Sequence, residues 1–322
     1  MRDLLIFCLA LIVPGGMVVA QSNISLLDED SIRGNRISGI TEWNHAWDQE
    51  KPKETGTISL NARYNENGYM IEETTFNARG QESRKITSSF DNMGNRTEYK
   101  IFDSRSKKLT FSEMARFDQH GNKIAEWGFD GLGNYRNVYH LNPDGRVKEI
   151  HYNTQGTLKE KRVFSYSGNE TKVSVVLPDN TVSQTILLQH NETGDLIEEA
   201  YYDDKNNLLK KNEYDYDRKG LKTNERRYQG GKMQYSNSYL YNNGLLMKVI
   251  KTDGEGNETV TNLYTYDDEG KMVKEAWYNE NVDDYSTKQY SWDDQGNMTS
   301  VVCYYASYQF NVMYRYDYNF FN

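Results

Sequence analysis

The sequence predicts an all-β protein: an antiparallel meander of about 21–23 short strands forming one long single-layer or spiralled sheet, at about 3.4 Å of rise per residue. Three observations carry this expectation. Tyr216-Asp217-Arg218-Lys219-Gly220 returns as Tyr266-Asp267-Asp268-Glu269-Gly270 and Trp292-Asp293-Asp294-Gln295-Gly296, with a shortened copy at Tyr241-Asn242-Asn243-Gly244. With weaker copies counted, 19 such stations run from Tyr64 to Trp292, 228 residues over 18 intervals, and a spacing near a dozen residues is that of serial short strands. Only 37% of residues are apolar, with 26 tyrosines among them, against about 45–50% in an average globular chain. A thick aliphatic core is therefore excluded, and abundant aromatics at regular turn spacing favour a thin ordered sheet over disorder.

Taken in order, residues 1–20 have the layout of a signal peptide: Arg2 near the terminus, an apolar run from Leu4 to Val13, and Val18-Val19-Ala20 ahead of Gln21. The run is too short for a membrane anchor and is broken by Pro14-Gly15-Gly16. Export to the periplasm, cell surface or exterior is expected. Removing the leader takes Cys8 with it, so Cys303 is left as a lone thiol, with no internal disulfide and no Cys-based metal site. The net charge of −9 excludes a phosphate-backbone partner, which needs a basic face.

Residues 21–56 are a lead-in. Arg36 to Trp43 reads as a first strand, and Asn44 to Gly56, with Pro52 and many charges, as a loop. Residues 57–322 form the repeat domain. In each station the first-corner Asp or Asn accepts backbone N–H groups across the turn, and the glycine three places later supplies the positive φ that closes it. Asp91 and Gly94, Asp118 and Gly121, Asp217 and Gly220, Asp267 and Gly270, and Asp293 and Gly296 are the structural pairs of this kind. Between stations 7 to 11 residues remain, without a 3.6-residue apolar period, so almost no helix is expected.

The 25-residue double period makes the two strand ends different. One end carries Tyr214/Tyr216, Tyr239/Tyr241, Tyr264/Tyr266 and Tyr290/Trp292, whose two-residue spacing puts both rings on one face. These eight are the candidate binding residues. Val312, Tyr314, Tyr316, Tyr318 and Phe320 give the last strand one aromatic-rich face, read either as a cap or as an edge for association with a partner. No strand alternates cleanly enough to offer lipid an apolar face, so the mature form is expected not to span a membrane.

The Tyr-Asp-x-x-Gly turns, as at Tyr216-Asp217-Arg218-Lys219-Gly220 and Tyr266-Asp267-Asp268-Glu269-Gly270, resemble those of the YD-repeat (Rhs-type) family over nearly the whole mature chain. The chain also looks like the short secreted β-repeat proteins of Bacteroidetes-like bacteria. The resemblance implies sheets wound into shells or surface scaffolds, some linked to carbohydrate binding or to enclosing a toxin. This chain is short and shows no effector or protease segment.

Chemistry-bearing motifs are sparse. His45, His120, His140, His151 and His190 lack ligand spacing, and no serine elbow, phosphate loop or zinc signature is present. The acid pairs Asp203/Asp204, Asp267/Asp268, Asp283/Asp284 and Asp293/Asp294 are mostly consumed by turns. No cofactor or metal is expected. The expectation is a secreted or surface-exposed non-catalytic scaffold presenting an aromatic and acidic surface to glycan or another surface protein. The alternatives are a glycoside hydrolase using carboxylates on the sheet, and a structural spacer that associates edge to edge through its C-terminal strand.

Overall fold

The computed structural model describes residues 23–27, 29–48 and 50–322. The leader expected over residues 1–20 lies outside them. Among the described residues there are 23 strands, a 3-10 turn at Asn23–Leu26 and one α-helix, Glu29–Gly34. From Thr57–Tyr64 onward each strand pairs antiparallel with the next, up to Phe310–Phe320. The all-β meander follows directly from the turns, because a corner every dozen residues leaves each strand only its sequence neighbour to pair with.

The first strand, Ile37–Asp48, turns the meander into a ring. On one side it pairs with Thr57–Tyr64, setting Ile40 opposite Ala62 and Glu42 opposite Leu60. On the other it pairs with Phe310–Phe320, setting Ile40 opposite Tyr318, Glu42 opposite Tyr316 and Ala46 opposite Val312. Lys51–Pro52 adds only a two-residue ladder on Trp47 and Asp48. The other 22 strands close into one antiparallel barrel.

Closure corrects three expectations. The sheet is not an open or spiralled solenoid, because its two ends would otherwise leave rows of unpaired N–H and C=O groups, which closure removes. Edge-to-edge association through the C-terminal strand loses its basis, since that edge is occupied by Ile37–Asp48. The expectation that the mature form is not membrane-spanning is overturned as well: it rested on the lack of a clean apolar alternation in the strands, and a closed barrel is the strand architecture that crosses bilayers. The lead-in also differs, with strand extending to Asp48 and then folding back so that His45 Nδ1 meets the Lys53 carbonyl oxygen at 2.9 Å. No helix among the described residues is long and apolar enough to cross a membrane.

The turns share one geometry. At Asp91 the backbone N–H groups of Met93 and Asn95 both donate to Oδ1 at 2.9 Å, while Gly94 N–H donates to the Asp91 carbonyl at 3.1 Å. Gly94, Gly121, Gly220, Gly270 and Gly296 all have φ near +80°. Where glycine is missing, Asn206 takes the same role at φ 63°, as asparagine tolerates this region better than most residues. Gly296→Ala meets no hard neighbour, since its Cβ would lie 3.6 Å from Lys271 Cε. Its cost is conformational, about 1–2 kcal/mol, and should appear in chemical denaturation as a lower midpoint with an unchanged slope.

The two faces of the wall are unlike. One carries Ile40, Leu60, Ile86, Ile150, Val173, Ile186, Leu188, Val249, Val301 and Tyr316, all buried. The other carries ion pairs such as Arg226 with Glu213 and Asp215 at 2.9 and 2.6 Å, Lys85 with Glu72 at 2.9 Å, and Lys100 with Glu98 at 2.6 Å. The larger hydrophobic cluster joins neighbouring strands around the seam with Ile24 and Ile32 of the lead-in, and Val173, Ile186 and Leu188 form a smaller one on neighbouring strands alone. Side chains on the concave side of a ring converge, so this crowded face is the interior wall. The chain exposes 20577 Å², well above the roughly 14,000 Å² of a compact protein of this length, as expected of a hollow shell. At one end the helix buries Ile32 against the interior cluster, and Asn35 Nδ2 bonds Asn297 Oδ1 at 2.8 Å, holding the lead-in over that mouth.

Candidate functional site

The eight candidate aromatic residues line the interior wall at the end where the lead-in packs, and their tips form two regular rows. In the outer row, the aromatic that opens each turn reaches back to the preceding hairpin. Tyr216 Oη donates to the Leu196 carbonyl at 2.9 Å, Tyr241 to Lys222 at 2.9 Å, Tyr266 to Leu246 at 3.0 Å, and Trp292 Nε1 to Met272 at 2.8 Å. Tyr166 and Tyr318 do the same to Val147 and Met298, both at 2.7 Å. Each accepting carbonyl lies just after a turn bulge; for Leu196, the pairing with the following strand stops short of it, at Glu198 opposite Glu213. A long aromatic with a donor at its tip spans the gap that the bulge opens, which is why Tyr or Trp precedes the Asp.

In the inner row the partner is a carboxylate. Tyr214 Oη lies 3.5 Å from Glu199, Tyr239 donates to Glu225 at 3.1 Å, Tyr290 to Glu275 at 2.7 Å and Tyr316 to Glu42 at 2.9 Å. Lysine ammonium groups sit against the same rings: Lys222 lies 4.8 Å from the Tyr239 ring centre and 5.6 Å from that of Tyr214, within cation–π range. Asn212 Nδ2 adds a bond to Glu199 at 3.0 Å. The wall therefore presents buried and half-buried rings, most of them with an engaged polar tip, alternating with carboxylates and ammonium groups. It has ring faces for stacking and charged groups for hydroxyls, and Glu199, Glu225 and Glu275 are each held by neighbouring side chains.

The carboxylate row was absent from the sequence expectations. Its signal was present in Glu199-Ala200-Tyr201 and Glu275-Ala276-Trp277, where the acid stands two places before an aromatic on one face. The acid pairs that were singled out sit at corners: Asp203, Asp267 and Asp293 each accept two backbone N–H groups of their own turn. Cys303 is fully buried on the interior wall. His140 and His151, 11 residues apart in sequence, stand on paired strands with ring centres 4.5 Å apart, and Glu149 Oε2 lies 2.8 Å from His151 Nε2. Among the described residues no cluster of three or more potential metal ligands forms.

The turn carboxylates make folding pH-dependent. The Asn95 side-chain amide, joined by backbone N–H groups, holds the Asp91 carboxyl below its ordinary range, and Asn122, Asn207 and Asn257 do the same for Asp118, Asp203 and Asp253. A carboxyl depressed by folding contributes stability that is present above its unfolded pKa, about 3.9, and is lost as pH falls through the folded value. Thermal stability should be level above about pH 5 and fall below about pH 4. Asn65 fills the same corner without titrating, accepting from Asn67 and Tyr69 N–H at 3.1 and 3.0 Å. Replacing Asp91, Asp118, Asp203 and Asp253 together by Asn should therefore make the acid limb shallower, as read from melting temperatures between pH 3 and 7, with Glu213, Asp215, Glu225 and Asp293 accounting for part of what remains.

No family model matches the chain, and no curated protein matches it, so the YD-repeat resemblance rests on the turn motif. Solved structures that align include TcdB2-TccC3 without its hypervariable C-terminal region, at 12% identity and a TM-score of 0.28 over 80% of this chain and 19% of that one. The chain spans about a fifth of that polypeptide. A porin-like protein from Bacteroides uniformis ATCC 8492 aligns at 9% identity and a TM-score of 0.29, over 88% of this chain and 98% of that one. A porin-like protein from Bacteroides vulgatus ATCC 8482 aligns at 8% identity and a TM-score of 0.24, with the same coverage.

Proposed function

We propose that the protein is an exported, non-catalytic β-barrel of the cell surface or outer membrane, whose aromatic and acidic wall binds glycan or a segment of a surface protein. The observation that carries this is the double row on the interior wall: Tyr214, Tyr239, Tyr264 and Tyr290 in one line and Tyr216, Tyr241, Tyr266 and Trp292 in the next, with Glu199, Glu225 and Glu275 between them. Ring faces stack on sugar rings, and carboxylates accept hydroxyl protons. Pre-formed hydrogen bonds at the ring tips hold the faces in place and lower the ordering cost of binding.

Hydrolysis needs two carboxyl groups facing across one bond, about 5–10 Å apart and free to exchange protons. The engagement of Glu199, Glu225 and Glu275 by Tyr or Asn favours binding instead. A glycan array and a pull-down with surface polymers test the reading. Retention that is lost in a Tyr239→Ala/Tyr264→Ala variant supports it. Turnover of a bound glycan, abolished by Glu225→Gln, would replace it with the enzyme alternative.

A further inference from the structure

Beside the closing seam, on the charged face opposite the aromatic wall, lies a depression of about 540 Å³. Two register rows build it. One runs Asn319, Gly39, Arg63, Glu72 across four strands, and the next runs Thr41, Asn61, Thr74, Lys85. Phe76, Phe321 and Glu82 also line it, beside Ser38, Ile40, Ala62 and Tyr64. Gly39 makes the space. Its backbone is not in the left-handed region, so the turn chemistry of Gly94 or Gly296 does not apply, and a Cβ there would meet the Ala62 carbonyl oxygen at 3.3 Å and Asn319 Nδ2 at 3.5 Å.

Some polar side chains of this face are matched to one another, as Arg226 is to Glu213 and Asp215. In the depression they are not. The side chains of Thr41, Asn61, Thr74 and Asn319 have no hydrogen-bond partner among the described residues, and Thr74 is only 7% exposed. Lys85 holds Glu72 at 2.9 Å, which leaves Arg63 with that carboxylate only at 3.9 Å. The polar atoms of Thr41, Asn61, Thr74 and Asn319 keep access to solvent, since among the described residues the buried side-chain polar atom without a partner is Ser104 Oγ, and they are open to the hydroxyl groups of a ligand.

We propose that this seam pocket binds a short neutral saccharide. The lining includes two amides and two hydroxyls, which both donate and accept, a guanidinium that bridges adjacent hydroxyls, and two aromatic rings. That mixture suits a polyol with apolar ring faces. An anion is disfavoured because Glu72 and Glu82 offset Arg63 and Lys85. The size falls in the roughly 300–1,000 Å³ of small-ligand sites. The pocket stands on the opposite face from the tyrosine rows and does not depend on them.

The test is calorimetric titration of the intact protein with neutral hexasaccharides of glucose, mannose and galactose, and with trigalacturonate as the charged comparator. The fluorescence of Trp43 is followed in parallel, because its indole N–H bonds Asp317 one residue pair from the pocket. At least one neutral hexasaccharide should bind, and Asn61→Ala/Asn319→Ala should weaken it at least tenfold. Gly39→Val, which fills the floor, should do the same; both variants are checked for unchanged circular dichroism, and the Asn pair decides the outcome if Gly39→Val misfolds. No binding by any neutral hexasaccharide, or a preference for trigalacturonate, overturns the proposal. Binding that survives the Asn variant but is lost in Tyr239→Ala/Tyr264→Ala overturns the seam pocket and leaves the aromatic wall as the site.

Discussion

Truncation after Gln309, which removes the closing strand, should abolish the discrete folded species. Phe310–Phe320 is paired on both sides, to Met298–Tyr305 and to Ile37–Asp48. Its loss unpairs two ladders and uncovers Ile40, Val301 and Cys303, each at most 1% exposed in the intact barrel. Val312, Tyr314, Tyr316 and Tyr318 leave the interior cluster with it. At about 1.5–3 kcal/mol per buried large side chain, the loss matches the roughly 5–15 kcal/mol that holds a domain folded. Two open edges bearing apolar side chains are also templates for aggregation. Size-exclusion chromatography with light scattering should show heterogeneous aggregates in place of one sharp species. A sharp peak with an unchanged melting temperature would show that the strand is an appendage.

The Tyr316–Glu42 contact crosses the same seam, and Tyr316→Ala should cost about 3–5 kcal/mol, the range for emptying a buried aromatic site. Both residues are 6% exposed, and the Tyr316 hydroxyl donates to Glu42 Oε2 at 2.9 Å while Ser59 Oγ donates to Oε1 at 2.7 Å. Tyr316→Phe keeps the ring and removes one donor from a buried carboxylate, so about 1–3 kcal/mol is expected. Combining it with Glu42→Leu should recover much of that loss, because a buried polar pair replaced as a unit is far less costly than one broken. Urea denaturation of the four proteins of this cycle gives the coupling directly. Additive single effects would mean that the seam contact does not form.

How much of this was legible in the sequence depended on range. The corners were, because the contacts of Asp91 with Met93 and Asn95 span four residues and dictate their own geometry. The rows of tyrosines followed from the two-residue period. Closure was not legible: Glu42 and Tyr316 lie 274 residues apart, with no turn to link their strands. The aromatic stripe of the last strand was visible, but a buried seam and a free edge ask for the same side chains. The carboxylate row escaped for a related reason, since Glu199 meets Tyr214 only once register is known. The seam pocket combines residues from both ends of the chain, and no local pattern marks it.

The claim on which the rest depends is that the first and last strands are neighbours. With Cys8 and Cys303 replaced by serine, Thr41→Cys and Asp317→Cys place two thiols at directly opposed positions, where Cα atoms of antiparallel partners lie about 4.5–5.5 Å apart, within disulfide reach. Mild oxidation at low protein concentration should convert the chain almost completely to an internally crosslinked monomer, seen as faster migration on a non-reducing gel and a single bridged peptide by mass spectrometry. Free thiols, or crosslinks only between chains, would contradict the closed barrel.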